Sequence, residues 1–289
     1  MLHLDKTTTN PSTPEGNSFP TVSVVMPIYN AAPYLSAAIN SIISQTFQDW
    51  ELIVVDDGST DNSLEIAQDL ATYDKRIKAY ACPHSGVATT ANYAIAQANG
   101  QYVARMDADD IAFPQRLAKQ LKYLQHHQDK VAVGGQCVVI NEQGETTGRK
   151  IFPTTVSKIK EMMFYYYPLQ QPSLMVNTAL LPSDFIWYSS GLEAAEEHEL
   201  LFKLLQFGEV VNMSDFLLFY RIHPQNTTKI NPKRDFWQIL KTRIKGVYHY
   251  KHLPSIKAVL FTFGQLLTVG LLPQKLIYPI YLKLRGLDH

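Results

Sequence analysis

Three aspartates lie within four positions of the sequence "RMDADD", at Asp107, Asp109 and Asp110. Carboxylates this close together repel one another unless a cation or hydrogen-bond donors compensate their charge. Hard divalent cations such as Mg²⁺ accept one or two carboxylates together with phosphate oxygens and water. The cluster therefore predicts a metal ion that is bound jointly with a phosphate-bearing ligand.

Other ligand-binding motifs are missing from the chain. An EF-hand calcium loop starting at Asp107 needs glycine at its sixth position and glutamate at its twelfth, where this chain has Ala112 and Ala118. The sequences G-x-x-x-x-G-K-S/T and G-x-G-x-x-G do not occur. These observations exclude an EF-hand and disfavour P-loop nucleotidases and dinucleotide-dependent enzymes.

Apolar runs alternate with amphipathic segments four times between Val22 and His127, which predicts four strands that are each followed by a helix. Such alternation predicts an α/β fold, with a doubly wound, mostly parallel sheet and helices on both faces. Ligands of these sheets bind beyond the carboxyl ends of the strands. The predicted strand ends carry Pro27, Tyr29, Asn30, Asp56, Asp57, Cys82 to His84 and the three aspartates.

The chain has 289 residues, 46% of them hydrophobic, and is long enough for one large domain with an appendage. Residues 1–20 are rich in Thr, Pro, Ser and Asn and are predicted to form a disordered tail without the features of a signal peptide. The only cysteines, Cys82 and Cys137, have no metal or redox spacing and favour a reducing, cytoplasmic compartment.

The net charge of zero conceals a basic C-terminal region. Residues 229–289 contain eleven lysines and arginines and two aspartates, against 15 basic and 24 acidic residues before them. Their apolar stretch from Ala258 to Leu272, which Gly264, Gln265 and Gly270 interrupt, is too short to span a bilayer, which takes about 20 residues. Basic residues interleaved with aromatics favour helices that lie on an anionic cytoplasmic membrane surface, and packing against the rest of the protein is the alternative. Nucleic-acid binding is disfavoured because no recognition motif occurs.

The ordered motifs "VVMPIYN", "VVDDGSTD", "HSGVATTANYA" and "RMDADD" resemble the N-terminal half of the family 2 glycosyltransferases. The resemblance extends from about Val22 to Arg221. It implies an inverting enzyme with the GT-A fold, in which a catalytic domain spans residues 21–228. Residues 21–115 would form its nucleotide-binding half and residues 116–228 its acceptor half, followed by the helical region 229–289.

The resemblance also implies roles for residues of the nucleotide-binding half. Pro27, Tyr29 and Asp57 match positions that hold the base and ribose of the nucleotide. Asp107 and Asp109 match the Asp-x-Asp motif that binds Mn²⁺ or Mg²⁺ on the donor diphosphate. Asp109 is the favoured direct ligand, whereas Asp107 acts on the metal through water or on the ribose. Asp110 either supports these ligands or caps the next helix.

In the acceptor half, the resemblance implies a catalytic base in the sequence "AEEHELLF". Glu197 occupies the place of the base, where relatives usually have aspartate, and Glu196 is the alternative. Arg221 and His223 match a segment that closes over the donor phosphates, and an arginine can bind phosphate through two hydrogen bonds. Gln171 replaces a histidine of many relatives and is expected to contribute, with Glu196, to the acceptor site.

These matches predict a metal-dependent inverting glycosyltransferase that uses a nucleotide sugar, with UDP as the expected nucleotide. The acceptor is expected to be a glycan or lipid-linked molecule of polysaccharide or cell-envelope glycan synthesis. The enzyme would work as a peripheral protein at the inner face of the cytoplasmic membrane. The alternative is a noncatalytic nucleotide-sugar-binding or scaffold protein that has the same fold, since Glu197 and Gln171 both depart from the usual residues.

Overall fold

The computed structural model describes residues 19–189, 195–225 and 232–271. Of the predicted disordered tail, residues 1–18 lie outside the described residues. The described strands are β1 (Val22–Ile28), β2 (Trp50–Asp56), β3 (Ile77–Ala81), β4 (Tyr102–Arg105), β5 (Ile111–Ala112), β6 (Lys130–Ile140), β7 (Thr146–Lys150), β8 (Met175–Asn177) and β9 (Glu209–Arg221). The described helices are α1 (Ala32–Ile43), α2 (Ser63–Tyr73), α3 (Val87–Ala96), α4 (Arg116–His126), α5 (Val156–Met162), α6 (Glu196–Leu204), α7 (Pro232–Tyr248) and α8 (Ile256–Leu271).

The first four strands form a parallel half of the sheet, in the order β3, β2, β1, β4. Every residue of β1 and β2 is buried, because helices cover both faces of these strands. This double burial explains why the strands read as continuous apolar runs instead of an alternating pattern. The predicted alternation of four strands and four helices is confirmed.

The remaining strands form a mixed half. Strand β8 lies antiparallel between β4 and β6, β9 runs parallel to β6, and β5 and β7 pair antiparallel with β9 and β6. Parallel pairing is therefore less dominant than predicted, although the fold class is confirmed. The direction of these strands was not readable from the sequence because β8 and β5 have three and two residues, too few for a period to be recognised.

The C-terminal helices pack against the mixed half, next to α6. Gly246 of α7 lies so close to the Phe202 ring that a Cβ atom would come within 2.5 Å of it. The Lys245 ammonium donates to buried Glu199, and Arg243 donates to the Tyr165 carbonyl (2.5 Å). Close approach and paired charges thus fix α7 on α6. The predicted helical C-terminal region is confirmed for α7 and α8, whereas residues 229–231 and 272–289 of that prediction lie outside the described residues. No helix in the described ranges has the length and hydropathy needed to cross a membrane.

Candidate active site

The aspartates of "RMDADD" form a compact acidic triad just after the carboxyl end of β4. One carboxylate oxygen from each of Asp107, Asp109 and Asp110 lies within 4.8 Å of the other two. Asp107 and Asp109 are half-buried, whereas Asp110 is completely buried. The turn thus presents two accessible carboxylates above a third that the protein encloses.

Two buried arginines stand behind the triad. Arg105, the last residue of β4, lies with Nη2 3.2 Å from Asp107 Oδ1 and donates from Nη1 to the Met106 carbonyl (2.9 Å). Arg116, at the start of α4, donates to the Arg105 carbonyl (2.7 Å) and to Gln120 Oε1 (3.0 Å). Burial lowers the pKa of Arg116 to about 10, so both guanidinium groups remain charged at neutral pH. They offset part of the negative charge of the triad.

Asp110 connects the triad to the end of β9. Its Oδ1 accepts a hydrogen bond from the Arg221 backbone N–H (2.9 Å), while its buried Oδ2 has no hydrogen-bond partner among the described residues. Burial raises the pKa of Asp110 well above its usual range, and the charges of Asp109 and Asp107 raise it further. The ionised triad therefore needs positive charge beyond what the nearby arginines supply.

The predicted diphosphate residues lie against Asp109. His223 Nε2 is 2.9 Å from Asp109 Oδ2. Arg221 donates from Nε to the Asp109 carbonyl (2.9 Å) and from Nη1 to the carbonyls of Asn141 (2.9 Å) and Glu142 (3.0 Å). The structure thus brings Arg221 and His223 to the triad, but two nitrogens of the Arg221 guanidinium are occupied by backbone carbonyls.

Asp57 is enclosed by the loop that follows β3. Its carboxylate accepts hydrogen bonds from the N–H groups of Ser85 (2.8 Å) and Gly86 (3.0 Å) and from the Thr90 hydroxyl (2.8 Å). Burial acts to raise the pKa of Asp57, but these hydrogen bonds outweigh it and hold the pKa below its ordinary value. In the loop that follows β2, Gly58 has a positive φ (72°), and a Cβ atom at this position would lie only 3.0 Å from the His84 backbone nitrogen. Asp57 therefore holds two strand-end loops together as an ionised anchor.

The remaining predicted nucleotide residues lie at the same edge of the sheet. Tyr29 is 49% exposed just beyond β1, and its ring stacks on His84 with 4.5 Å between ring centroids. Pro27 is buried in β1 and pairs with Val55 of β2. The pairing of β1 with β4 ends two residues earlier, at Val25. A flat aromatic surface thus borders the Asp57 loop, where a nucleotide base can stack.

Glu196 and Glu197 open α6, as the sequence predicted. Burial raises the pKa of Glu197 to about 8, helped by the charges of Glu196 and Asp107 and opposed by those of Arg105 and Lys150. Burial also raises the pKa of Glu196, whose Oε2 is enclosed without a hydrogen-bond partner among the described residues. Glu197 is therefore a carboxylate whose proton affinity is tuned towards neutrality, within electrostatic reach of the triad.

Gln171 lies in a short 3-10 helix within the predicted acceptor half. It is buried and donates to the Tyr188 hydroxyl (2.7 Å), which also hydrogen-bonds Arg105. Asn92 of α3 fixes Tyr188 by donating to its carbonyl (2.8 Å) and accepting from its N–H (3.0 Å). A chain of polar groups thus runs from Gln171 to the Arg105–Asp107 pair.

Sequence reasoning missed Arg105, Lys150 and Tyr188. An arginine at the end of an otherwise apolar strand was a readable signal for Arg105, since arginines are rarely buried without a partner. Lys150 ends β7, with its ammonium 3.5 Å from the Tyr220 ring centroid and 3.2 Å from Gln170 Oε1. The sequence around Lys150 and Tyr188 has no motif, and only the fold brings them to Glu197.

The residues present fit a divalent cation. The triad supplies hard oxygen donors of the kind that Mg²⁺ and Mn²⁺ prefer. Burial and the charge of Asp109 raise the pKa of Asp107, although the charge of Arg105 opposes them. Together with the enclosed Asp110 oxygen, this raised pKa indicates that the negative charge of the triad is incompletely compensated. A cation beside Asp107 and Asp109 would supply the missing charge.

Comparison with known proteins gives consistent matches. The chain is 31% identical to the O-antigen biosynthesis glycosyltransferase WbnJ of Escherichia coli over 214 residues, which cover 72% of this chain and 82% of WbnJ. The chain spans half or less of the length of several other curated relatives.

Two solved structures show the same fold. The S. aureus TarS fragment 1-349 in complex with UDP-GlcNAc aligns with a TM-score of 0.63 and 20% identity, over 84% of this chain and 70% of that one. The mannosyltransferase PcManGT of Pyrobaculum calidifontis, in complex with GDP-Man and Mn²⁺, aligns with a TM-score of 0.58 and 15% identity, over 97% of this chain and 88% of that one.

The model of the family described as glycosyl transferase family 2 matches residues 23–193, more than half of the chain. This range contains the strand-end loops, the acidic triad, Gln171 and Tyr188, and it ends just before α6. The predicted resemblance is confirmed: the chain belongs to glycosyl transferase family 2 and is a glycosyltransferase with a GT-A-like fold.

Proposed function

We propose that this enzyme transfers a sugar from a nucleotide-sugar donor, with UDP as the nucleotide, to a glycan or lipid-linked acceptor with inversion at the anomeric carbon. The observation that carries the proposal is Glu197, whose pKa of about 8 reflects burial near Glu196 and Asp107. A carboxylate with this proton affinity suits removal of a proton from an acceptor hydroxyl as the hydroxyl attacks. Its electrostatic coupling to the triad supports a single site for donor and acceptor.

We propose that the nucleotide binds at the ends of β1, β2 and β4. The exposed Tyr29 ring offers a stacking surface for the base, next to the loops that Asp57 holds in place. Pro27 shapes the floor of the site from within β1. Asp107 would contact the ribose, or the metal through water.

Asp107 and Asp109 would hold Mn²⁺ or Mg²⁺, and Asp110 would support them from below. When bound, the cation stabilises the negative charge of the departing nucleoside diphosphate. His223 orients Asp109 through their 2.9 Å contact, and Arg221 adds positive charge while it fixes the Asp109 backbone. These contacts support the assignment of both residues to the diphosphate site.

Glu197 would act as the general base from the start of α6, with Glu196 as the alternative at the same helix end. Single displacement inverts the anomeric centre through an oxocarbenium-like transition state and needs no covalent nucleophile. Arg105 and Lys150 would favour the ionised form of Glu197, since both charges act to lower its pKa. Gln171 and Tyr188, hydrogen-bonded to each other, would line the acceptor side.

The resemblance to an O-antigen biosynthesis enzyme supports a role in polysaccharide or cell-envelope glycan synthesis. We expect the enzyme to work in the cytoplasm as a peripheral protein of the inner membrane face. Acceptors that are lipid-linked would be presented at that surface.

The test is a transfer and hydrolysis assay with purified protein and a panel of UDP- and GDP-sugars, each with Mn²⁺, Mg²⁺ or a chelator. Metal-dependent turnover of one UDP-sugar, with an inverted product anomer seen by nuclear magnetic resonance, is expected. Turnover of a GDP-sugar alone would contradict the UDP assignment, and unchanged donor affinity after chelation would contradict the metal site.

A further inference from the structure

Helix α8 is apolar on two opposite faces; within the described part of the chain, one face packs against the protein and the other is exposed. Its inward face buries Ala258 and Val269. Its outward face carries five apolar side chains at helical spacing, and each of them is at least half exposed: Ile256 (81%), Val259 (53%), Leu260 (65%), Phe263 (60%) and Leu267 (50%). A soluble surface helix normally has polar residues on its outward side, so this stripe points to an external partner.

Helix α7 has an outward stripe of a different composition. Trp237, Ile244 and Tyr248 are 49%, 49% and 76% exposed, and the exposed Lys241 lies between Trp237 and Ile244. Tryptophan and tyrosine alternating with basic residues is the pattern found where one end of a side chain is apolar and the other contacts headgroups or water. The α7 stripe thus has the composition of a membrane interface.

The two helices are neighbours. Arg243 of α7 donates to Gln265 Oε1 of α8 (2.8 Å) and to the Tyr165 carbonyl (2.5 Å), so one side chain ties both helices to the mixed half. The segment between the helices exposes Leu253 (82%) and Lys251, and Lys257, the second residue of α8, is exposed too. The outward stripes of α7 and α8 with this connection are called here the basic apolar face.

Charge decides which partner fits this face. The described residues of the basic apolar face expose Lys241, Lys251 and Lys257 and no acidic side chain, so an anionic surface is complementary to this face. A second copy of the same face would bring like charges together, which opposes self-association. An anionic bilayer is complementary to both the charge and the apolar stripes of this face, because headgroup phosphates attract lysines while apolar side chains enter the boundary of the acyl chains.

We propose that the basic apolar face binds the surface of an anionic lipid bilayer, with the outward stripe of α8 inserted and the lysines and aromatics of α7 at the headgroups. This inference deepens the membrane location given under the proposed function by naming the surface and the lipid charge. It does not depend on the identity of the donor sugar. The catalytic groups described above lie on other elements.

The test is sedimentation of the full chain with vesicles of phosphatidylcholine alone or with about one third phosphatidylglycerol. The wild-type protein is expected to bind the anionic vesicles, and binding should weaken as salt rises. Leu260→Glu and Phe263→Glu should each lower the partition coefficient by about tenfold, because each removes a buried apolar side chain from the lipid. Lys241→Glu and Lys257→Glu should each lower it by roughly fivefold or more.

Tyr73→Glu is the matched control, since Tyr73 is 87% exposed at the end of α2, away from this face, and should leave vesicle binding unchanged. Circular dichroism melting would verify that all variants fold. Absence of wild-type binding to anionic vesicles, or equal loss in the Tyr73 control, would overturn the proposal. Wild-type dimers that Phe263→Glu dissociates, without vesicle binding, would instead assign the face to self-association.

Donor binding separates this proposal from the proposed function. Calorimetric titration with UDP should give the same affinity for the wild-type protein and Phe263→Glu, because the change lies outside the nucleotide site. Vesicle binding without any donor binding would retain the membrane surface and reject the proposed donor. Donor binding without vesicle binding would retain the proposed donor and reject the membrane surface.

Discussion

Two carboxylates of the candidate site, the buried Asp57 and the half-buried Glu197, have pKa values that are shifted in opposite directions. Asp57 accepts hydrogen bonds from two backbone N–H groups and from the hydroxyls of Thr90 and Ser85, and its pKa lies below the ordinary value. The pKa of Glu197 is raised to about 8 by burial and by the charges of Glu196 and Asp107. The parallel half therefore supplies a fixed negative anchor, and the mixed half supplies a carboxylate suited to exchanging a proton.

The difference has a structural cause. Asp57 lies where β2 ends beside the start of α3, so free backbone N–H groups converge on its carboxylate. Glu197 lies at the start of α6, where the neighbouring acidic side chains and the buried surroundings outweigh Arg105 and Lys150. Burial alone thus does not set the behaviour of a carboxylate, and the number of donors that reach it decides the direction of the pKa shift.

The largest expected effect comes from removing the ionisable group of the mixed half. Glu197→Gln should lower kcat by about 100- to 10,000-fold with little change in donor affinity, because it removes proton transfer but preserves size. Single-turnover transfer measures this loss. Glu196→Gln is the matched control and should retain most activity. If the two variants exchanged these phenotypes, Glu196 would be the base.

The next effect concerns the acidic triad, which acts electrostatically on Glu197 through Asp107. Asp109→Asn should weaken Mn²⁺-dependent binding of the donor by about 100-fold, since it replaces a charged ligand by a neutral one. Asp110→Asn should weaken the same donor binding by less than about tenfold, because the amide oxygen of asparagine can still accept a hydrogen bond from the Arg221 N–H. Calorimetry with and without Mn²⁺ measures both. Equal losses would reject the distinction between them.

The anchor role of Asp57 predicts a loss of stability. Asp57→Ala should lower the free energy of unfolding by about 2–4 kcal/mol, because two N–H groups and two hydroxyls lose their buried acceptor. Urea unfolding followed by circular dichroism measures the change. Asp69→Ala, at an exposed position of α2, should stay within about 0.5 kcal/mol of the wild type. Similar values for both variants would contradict the anchor role.

The raised pKa of Glu197 predicts the pH dependence. The ionised carboxylate is the active form, so kcat/KM should rise about tenfold per pH unit below the pKa and level off above it. With Mn²⁺ bound, the midpoint should lie below about 8, because the cation offsets the repulsion from Asp107. A pH profile with stopped assays at saturating Mn²⁺ measures this midpoint. A rate that falls over the same range would contradict Glu197 as the base.

The smallest expected effect concerns the polar chain that leads from Gln171 to Asp107. Tyr188→Phe removes the hydroxyl that Gln171 and Arg105 contact, and should lower kcat/KM for the acceptor by roughly fivefold to tenfold. Initial rates at varied acceptor concentration measure it. Tyr123→Phe, remote on α4, is the control. An unchanged acceptor kcat/KM would place Tyr188 outside the acceptor site.

The local sequence determined much of the parallel half. Continuous apolar runs, polar strand ends and the "DDGS" and "DADD" turns are short-range patterns, so β1 to β4, their helices and the triad were predictable. The two acidic residues that open α6 were predictable for the same reason. Family and fold followed from the order of these motifs, which is itself a property of the sequence.

Only the tertiary structure decided how these groups act on one another. The contacts from Arg221 to Asp109 and Asp110 join residues 111 and 112 positions apart, and the Gln171–Tyr188 pair reaches Arg105 only through the packing of the fold. The opposite pKa shifts of Asp57 and Glu197 depend on such long-range neighbours and on burial. A sequence specifies which carboxylates exist, but desolvation and donor geometry, which arise on folding, determine whether each one anchors the structure or exchanges a proton.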